Sequence, residues 1–275
     1  MGLRIVAMKS WDLLIDPDPR RGAANMALDE YLFRDIGEEP RTIVRFYSWS
    51  RPTASLGYSQ PAEKILDLDY CRSNGIDVVR RMTGGKLVLH WREITYSIAS
   101  SDTETFSPTL AESYRMISAA IIRGLEKMGL RARLAGPPPS SYLKGNMPCF
   151  AYPARDEIEI NGRKIVGSAQ KRVAGRFLQH GSIPLQDDEG LLRHISLARD
   201  EDSELRRISV SEALGREVDR EWAVECLVKG MAEHFGVQFR PLTLGAAAED
   251  AVRRIQERRY EDEAWSLGRS DGPEY

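Results

Sequence analysis

At 275 residues the chain can bury one large core or two small ones. Its formal charge of −2 gives no global field that would favour nucleic acid or an acidic membrane surface. Three widely spaced cysteines, Cys71, Cys149 and Cys226, form no disulfide framework and fit a reducing compartment. There is no CxxC or HExxH and the four histidines are scattered, so neither a metal nor another cofactor is expected. The opening MGLRIVAMKSWDLL lacks a long apolar stretch with a small-residue cleavage site, and no apolar run is long enough to span a bilayer. The expected location is the cytoplasm.

Trp11 to Leu14 reads as a strand, followed by the polar loop DPDPRRG. Asn25 is placed to cap a helix whose apolar stripe is Ala27, Leu28, Tyr31 and Leu32 and which ends at Gly37. Thr42–Tyr47 alternates as a strand; a short helix near Ala62–Asn74 and a strand at Ile76–Arg80 follow. The basic loop RRMTGGK, Arg80 to Lys86, breaks that strand, and β character resumes at Leu87–Leu89 and Thr95–Ile98. Ser107-Pro108 is expected to open the best helix, as cap and first-turn proline, with Leu110, Tyr114, Ile117, Ile121, Leu125 and Met128 at helical spacing.

GPPPSSYLKGNMP, ending at Pro148, can be neither helix nor strand, and Cys149 sits at its exit. Glu157–Ile160 alternates, Asn161-Gly162 is the pair a type I′ turn wants, and the chain returns through Arg163–Val166, which puts Lys164 on a strand just past the turn. A turn is expected at Gly167-Ser168-Ala169-Gln170, where small residues let backbone approach a ligand closely. A strand ending at His180-Gly181 comes next. Asp219 caps a helix through Phe235, and a last helix runs from about Ala246 to Arg259. Strands mixed with helices and then a helical end indicate an α+β fold: a single domain over 1–275, with a helical C-terminal part from about 190 to 275.

A lone cysteine is most often a small buried hydrophobe, and that reading stands for Cys71 and Cys226. Cys149 differs: it lies in a loop with basic residues near it in sequence, and a nearby ammonium favours the thiolate. A hairpin lysine is usually solvated; turned toward the loop, Lys164 would meet the thiol, hold an acyl carbonyl or trade protons with an amine. RRMTGGK is neither a Walker A loop nor a GxGxxG fingerprint, but its glycines expose amides and its arginines add charge, as an anion or acyl-chain site needs. His90 and His180 fall near strand ends; nothing local sets either ring beside Cys149, and locally both read as structural.

Together NMALDEYL (25–32), SLGYSQP (55–61), RRMTGGKLVLHWREITYS (80–97), GRKIVGSAQKR (162–172) and LQHGSIPL (178–185) resemble the biotin/lipoate protein ligase and octanoyltransferase catalytic domain, in the family's order and spacing. The resemblance implies a class II tRNA-synthetase-like fold, a mixed and mostly antiparallel sheet flanked by helices. It also implies an acyl tunnel near the RRMTGGK loop, with Lys164 as the lysine that contacts the acyl carbonyl. Arg80, Arg81, Thr83, Gly84, Gly85, His90, Gly167, Ser168, Ala169, His180 and Gly181 become the expected substrate-binding residues. PCFAYPARDEIEINGRKIVGSAQ looks most like the Gram-positive-type octanoyltransferase branch, where a cysteine precedes the hairpin as Cys149 does.

In that branch an octanoyl group passes from acyl carrier protein through a Cys149 thioester to a lysine of a lipoyl domain of 2-oxoacid dehydrogenases or of glycine cleavage H protein, without ATP. An ATP-dependent lipoate or octanoate ligase, an amidotransferase between lipoyl carrier proteins and a non-catalytic relative stay open. The sequence departs from many ligases in having Lys86 where a third glycine stands and Trp91 where an aspartate is frequent.

Overall fold

The computed structural model describes residues 8–37, 39–136, 157–197 and 207–268. Cys149 lies outside them.

The frame is an eight-stranded sheet in the order β11-β1-β2-β6-β10-β9-β8-β7. These strands are β1 (Lys9–Ile15), β2 (Thr42–Tyr47), β6 (Glu93–Ser100), β7 (Arg133–Leu134), β8 (Ile158–Ile160), β9 (Arg163–Val173), β10 (Arg176–Pro184) and β11 (Val237–Pro241). β1 runs parallel to both β2 and β11, and every other pairing in this sheet is antiparallel. A smaller sheet joins β3 (Thr53–Leu56) to β4 (Asp77–Arg80) and β5 (Val88–His90). The fold is the expected α+β arrangement of a mixed, mostly antiparallel sheet with helices on its faces.

β2 and β6 are buried along their whole length, because apolar side chains leave both faces of the sheet. On one face Val44, Phe46, Tyr96 and Ile98 pack under α4 (Leu110–Lys127) and α7 (Arg220–Phe235). On the other, Ile43, Tyr47 and Ala99 meet α1 (Gly22–Asp35) and α8 (Ala246–Ile255). A third cluster, with Leu56, Cys71 and Leu89, joins the small sheet to α2 (Ala62–Ile65), α3 (Leu68–Ser73) and α5 (Glu189–Ile195).

α4 and α7 cross where glycine meets glycine. A Cβ on Gly230 would lie 2.2 Å from Gly124 N, and one on Gly124 would lie 2.7 Å from Leu227 Cα. Backbone cannot step aside as a flexible side chain can. Gly230→Ala is therefore expected to destabilise the protein by about 1–3 kcal/mol, the usual range for overpacking. A urea denaturation midpoint equal to wild type would refute this contact.

Several local expectations change in three dimensions. Asn25 lies inside α1 rather than capping it: its Nδ2 donates to Ser48 O at 3.0 Å and its Oδ1 accepts from Arg45 at 2.8 Å. The cap of α4 is Thr109, whose hydroxyl accepts from Glu112 N, while Ser107 bonds the Glu112 carboxylate in front of it. The expected helix over 62–74 is two short ones, with Asp67 capping the second. The turn expected at Gly167–Gln170 is instead the middle of β9; the real turn is at Ala174 and Gly175, with φ of 48° and 79°. The expected helical end contributes β11, which completes the sheet beside β1. Asn161 and Gly162 do make the tight turn, at φ 52° and 76°. α6 (Val210–Leu214) and a π-helical turn (Gln256–Tyr260) lead to α9 (Glu263–Ser266).

Candidate active site

β8, β9 and β10 place the lysine. The hairpin register slips by one residue between Ile158 and Glu159, an extra residue on β9. Such a bulge re-aims a side chain. Ile165 and Val166 both enter the core, and Lys164 comes to lie across Gly167. A Cβ on Gly167 would stand 3.1 Å from Lys164 Cε and 3.3 Å from Nζ, so the glycine is the slot in which the lysine rests. The ammonium is buried, not solvated: Nζ donates to Glu157 Oε1 at 2.6 Å, and each residue is 9% exposed.

Lys164, Glu157 and Gly167–Ala169 form one wall of a cavity of about 100 Å³. Arg81 and Gly85 line it from the loop, and His90, His180 and Gly181 from the sheets. Opposite walls come close at Gly85, where a Cβ would be 3.9 Å from Ala169 Cβ. The other predicted residues do not line it. Thr83 is fully buried behind it, and Gly84 is exposed. Arg80 is turned away: its Nη1 donates to the carbonyls of Gly57, Tyr58 and Gln60, and its Nε to Trp265 O at 2.9 Å. Arg81 Nη1 donates to Ser55 O, and its Nη2 to Gly84 O and Lys86 O. An irregular loop leaves carbonyls without strand partners, and the two guanidinium forks satisfy them. Both arginines thus brace the loop.

Behind the cavity each histidine is held between a carboxylate and a hydroxyl. His180 Nδ1 donates to Asp29 at 3.1 Å, and its Nε2 is 2.7 Å from Thr83 Oγ1. His90 Nδ1 meets Glu93 at 2.8 Å and its Nε2 meets Ser55 Oγ at 2.8 Å, with the ring stacked on Trp49. Burial pushes the His180 pKa below its ordinary value against the opposing pull of Asp29. Burial would raise Asp29, yet the His180 hydrogen bond and Arg45 hold its carboxyl below the usual range. A neutral His180 therefore donates through Nδ1 and accepts the Thr83 hydroxyl at Nε2.

Arg45 is fully buried. Its Nη2 lies 2.7 Å from Asp16 and its Nη1 2.8 Å from Asp29. Although burial opposes the charge, the two carboxylates hold its pKa above the ordinary value. Tyr47 and Ser97 donate to Asp29 as well, so a single polar network ties α1, β2, β6 and β10 to the Thr83 loop. On the wall beside Lys164, Ser168 Oγ lies 2.7 Å from Tyr96 Oη, and burial pushes the Tyr96 pKa up to about 12.

Glu157, Asp29, Glu93 and Ser55 are not singled out by sequence reasoning. Glu157 and Glu159 alternate with isoleucines, which reads as a solvated strand face. Asp29 carries a faint signal, a charge one helical turn after Asn25 beside an apolar stripe. Cys71 and Cys226 are buried thiols; burial pushes Cys71 up to about 11 and raises Cys226 too, as befits inert thiols. Among the described residues no group of three or more His, Cys, Asp or Glu could hold a metal ion, and no helix is long and apolar enough to cross a membrane. A larger cavity, about 460 Å³, opens between α3, β4 and the C-terminal segment and contains none of the expected substrate-binding residues.

The lipoyl protein ligase A/B catalytic domain profile matches residues 21–235, and the chain belongs to that family. It is 37% identical over 263 residues to octanoyltransferase LipM of Geobacillus kaustophilus, covering 90% of this chain and 94% of that one. It is 36% identical over 268 residues to octanoyltransferase LipM of Carboxydothermus hydrogenoformans, covering 94% and 98%. Among solved structures, protein Ta0514 from T. acidophilum with bound lipoic acid superposes at TM-score 0.79 and 25% identity, covering 94% of this chain and 100% of that one. Lipoate-protein ligase A bound with ATP superposes at 0.81, also at 25% identity, covering 94% and 99%.

Proposed function

We propose that this protein is an octanoyltransferase of protein lipoylation that works through a thioester on Cys149. Acyl carrier protein in the cytoplasm donates the octanoyl group; a lysine of a lipoyl-domain protein or of glycine cleavage H protein receives it. The Cys149 thiolate attacks the donor thioester, and the acceptor amine then attacks the octanoyl-enzyme. A thioester donor is already activated, so ATP is unnecessary. Burying the chain contributes roughly 0.8 kcal/mol per methylene, which grips eight carbons but separates neighbouring lengths only modestly.

The observation that carries this reading is the setting of Lys164. Its ammonium is buried in a cavity wall, fixed over Gly167 and paired with Glu157, eight residues after Cys149 in the chain. There it orients the acyl carbonyl and stabilises thiolate. The amides for a tetrahedral oxyanion come from Gly167-Ser168 or Gly84-Gly85. β8 ends opposite Val166, so from Gly167 onward that edge of β9 pairs with no strand among the described residues. The other expected residues act as cavity lining (Arg81, His90, Ala169, His180, Gly181) or as loop supports (Arg80, Thr83).

Intact-protein mass spectrometry tests the reading. Mixed with octanoyl-acyl carrier protein and no ATP, the enzyme is expected to gain one octanoyl group on Cys149 and to lose it when a lipoyl domain is added. Cys149→Ala is expected to gain none. Acceptor modification that needs ATP and free acid, with no adduct on the enzyme, would make it a ligase instead.

A further inference from the structure

Two cavities reach Lys164. The second, about 50 Å³, shares Val88, Lys164, Gly167 and Ser182 with the first and extends to Trp91, Gln186 and Asp188. Lys164 and Ser182 at the shared end are buried, Trp91 and Asp188 are half-buried, and Gln186 is exposed. This cavity therefore runs from the surface to the lysine. The first cavity meets the surface elsewhere, at Gly85 and Lys86, both exposed. A protein that takes an acyl group from one partner and gives it to another receives two visitors at one carbonyl, and the two mouths differ in charge.

Backbone fixes the Trp91 mouth. Arg92, in the turn between β5 and β6, has a φ of 49°, and its carbonyl accepts from Leu185 N at 3.0 Å and Gln186 N at 3.2 Å. That clasp sets the turn against the segment leading to Asp188, just ahead of α5. Three carboxylates (Glu93, Asp187, Asp188) and two guanidiniums (Arg92, Arg207) act on one another here. Most are already engaged. Glu93 accepts from Ser182 and Thr95, Arg207 Nη2 lies 3.0 Å from Asp187, and Arg92 Nη1 donates to Gln186 Oε1 at 3.3 Å. Asp188 is the exception. It makes no side-chain cap to α5, and its carboxylate has no hydrogen bond or ion pair among the described residues. Burial pushes its pKa up to about 6; Glu93 and Asp187 add to that, and Arg92 and Arg207 oppose it. At neutral pH it is still mostly ionised. A half-buried carboxylate with no cation of its own costs stability, and a visiting cation offsets that cost.

We propose that the Trp91–Asp188 mouth is the entrance for the acceptor lysine, with Asp188 drawing in the ε-ammonium and the Trp91 indole covering the aliphatic stem. This rests on the reading above that the acyl carbonyl lies at Lys164 and that the acceptor is a lysine; it does not need the thioester. A lysine side chain suits the passage. It is thin, apolar along its stem and cationic at its tip, so it lies along an aromatic ring and ends at a carboxylate. An octanoyl chain has no charge for Asp188 to recognise, and the phosphate of a carrier protein's prosthetic arm would be repelled by it. The donor is left with the Gly85–Lys86 mouth. Asp188 and Trp91 position the acceptor and take no part in the bond changes.

The test is Asp188→Asn, which keeps the size and removes the charge. Mass spectrometry follows acylation by octanoyl-acyl carrier protein, and release to a lipoyl domain at increasing concentration. The lipoyl-domain concentration for half-maximal release is expected to rise about tenfold, as loss of a charge-assisted contact does. Release at saturation and acylation are expected within a few-fold of wild type. Trp91→Ala is expected to shift the half-saturating concentration the same way, Asp188→Lys to raise it further, and Asp188→Glu to restore most of it. In the wild-type protein that concentration is expected to climb as pH drops below about 6, where Asp188 takes up its proton, and in Asp188→Asn to stay flat. The melting temperature of Asp188→Asn is expected to equal or exceed that of wild type, because an unpartnered charge has gone.

Wild-type half-saturation in both Asp188→Asn and Trp91→Ala would overturn the proposal. So would acylation slowed as much as release, which would make this mouth the donor's. A lowered melting temperature with equal losses in both rates would make Asp188 a structural residue and overturn it too. If no Asp188 variant folds, Trp91→Ala and the wild-type pH profile carry the test. No acyl-enzyme in the wild-type protein would overturn the thioester reading and leave this one standing; the same concentration dependence is then measured with ATP and free octanoate.

Discussion

Arg45→Met is expected to cost about 3–5 kcal/mol of stability, the range for removing one partner from a buried ion network. The guanidinium is 0% exposed and sits between Asp16 and Asp29, with the Tyr47 ring 3.8 Å away. Methionine fills much of the volume but leaves Asp29 without its guanidinium and Asp16 with Arg20 alone, at 3.1 Å. The damage is expected to travel, because Asp29 also holds His180, and His180 holds Thr83. Urea denaturation measures the loss; a change below about 1 kcal/mol, the net worth of an ordinary hydrogen bond, would mean that the network is not integral to the core.

The same network gives wild-type stability a pH dependence of known sign. His180 and Asp29 both have folded-state pKa values below their ordinary ones, so the unfolded chain binds protons first as pH falls. Their contributions are complete at neutral pH. The His180 part is expected to fade as pH drops below the ordinary histidine value of about 6.5, and the Asp29 part below the ordinary carboxyl value of about 3.9.

The second large effect concerns turnover. Lys164→Met is expected to lower kcat/KM for octanoyl transfer by about 10²–10⁴-fold, as loss of a proton-handling group does. Methionine keeps most of the stem that packs over Gly167, so the loss reports on the ammonium. It also strands the Glu157 carboxylate in the wall, and melting temperature should be read alongside activity. Activity within a few-fold of wild type, in a folded variant, would remove Lys164 from the chemistry.

Local chemistry was the legible part of this protein. Asn161-Gly162 announces its turn because both positions need positive φ, and the two strands beside it follow. Gly167-Ser168-Ala169 reads as a turn for a reason that proves misleading. Smallness there leaves room for Lys164 and for the opposite cavity wall, not for a change of chain direction. Asn25 has the right chemistry for a cap, but its partners Arg45 and Ser48 lie about twenty residues on, and no local rule supplies them. β11 is a five-residue strand between two helices, held by pairing with β1, a contact invisible to periodicity.

The candidate site divides along the same line. Lys164 and the glycine-bearing loop carry local signals and family resemblance. Glu157 reads as half of a solvated alternation, and only the β-bulge beside Ile158 turns Lys164 onto the cavity wall next to it. Arg80 and Arg81 read as anion-binding because sequence reports their charge but not the carbonyls that consume their donors.

The parallel pairing of β1 with β11 has a consequence for synthesis. Lys9 pairs with Val237, so β1 leaves the ribosome long before its outer neighbour exists. At common elongation rates the delay is on the order of ten to fifty seconds. Throughout it, one side of β1 offers unmatched amides and carbonyls, a template for association with other nascent chains. Lys9 and Asp12 put charge on that strand, which discourages such encounters. When β11 arrives, Arg240 reaches Asp12 at 3.0 Å, and the residue that kept strangers away becomes an anchor for the native partner.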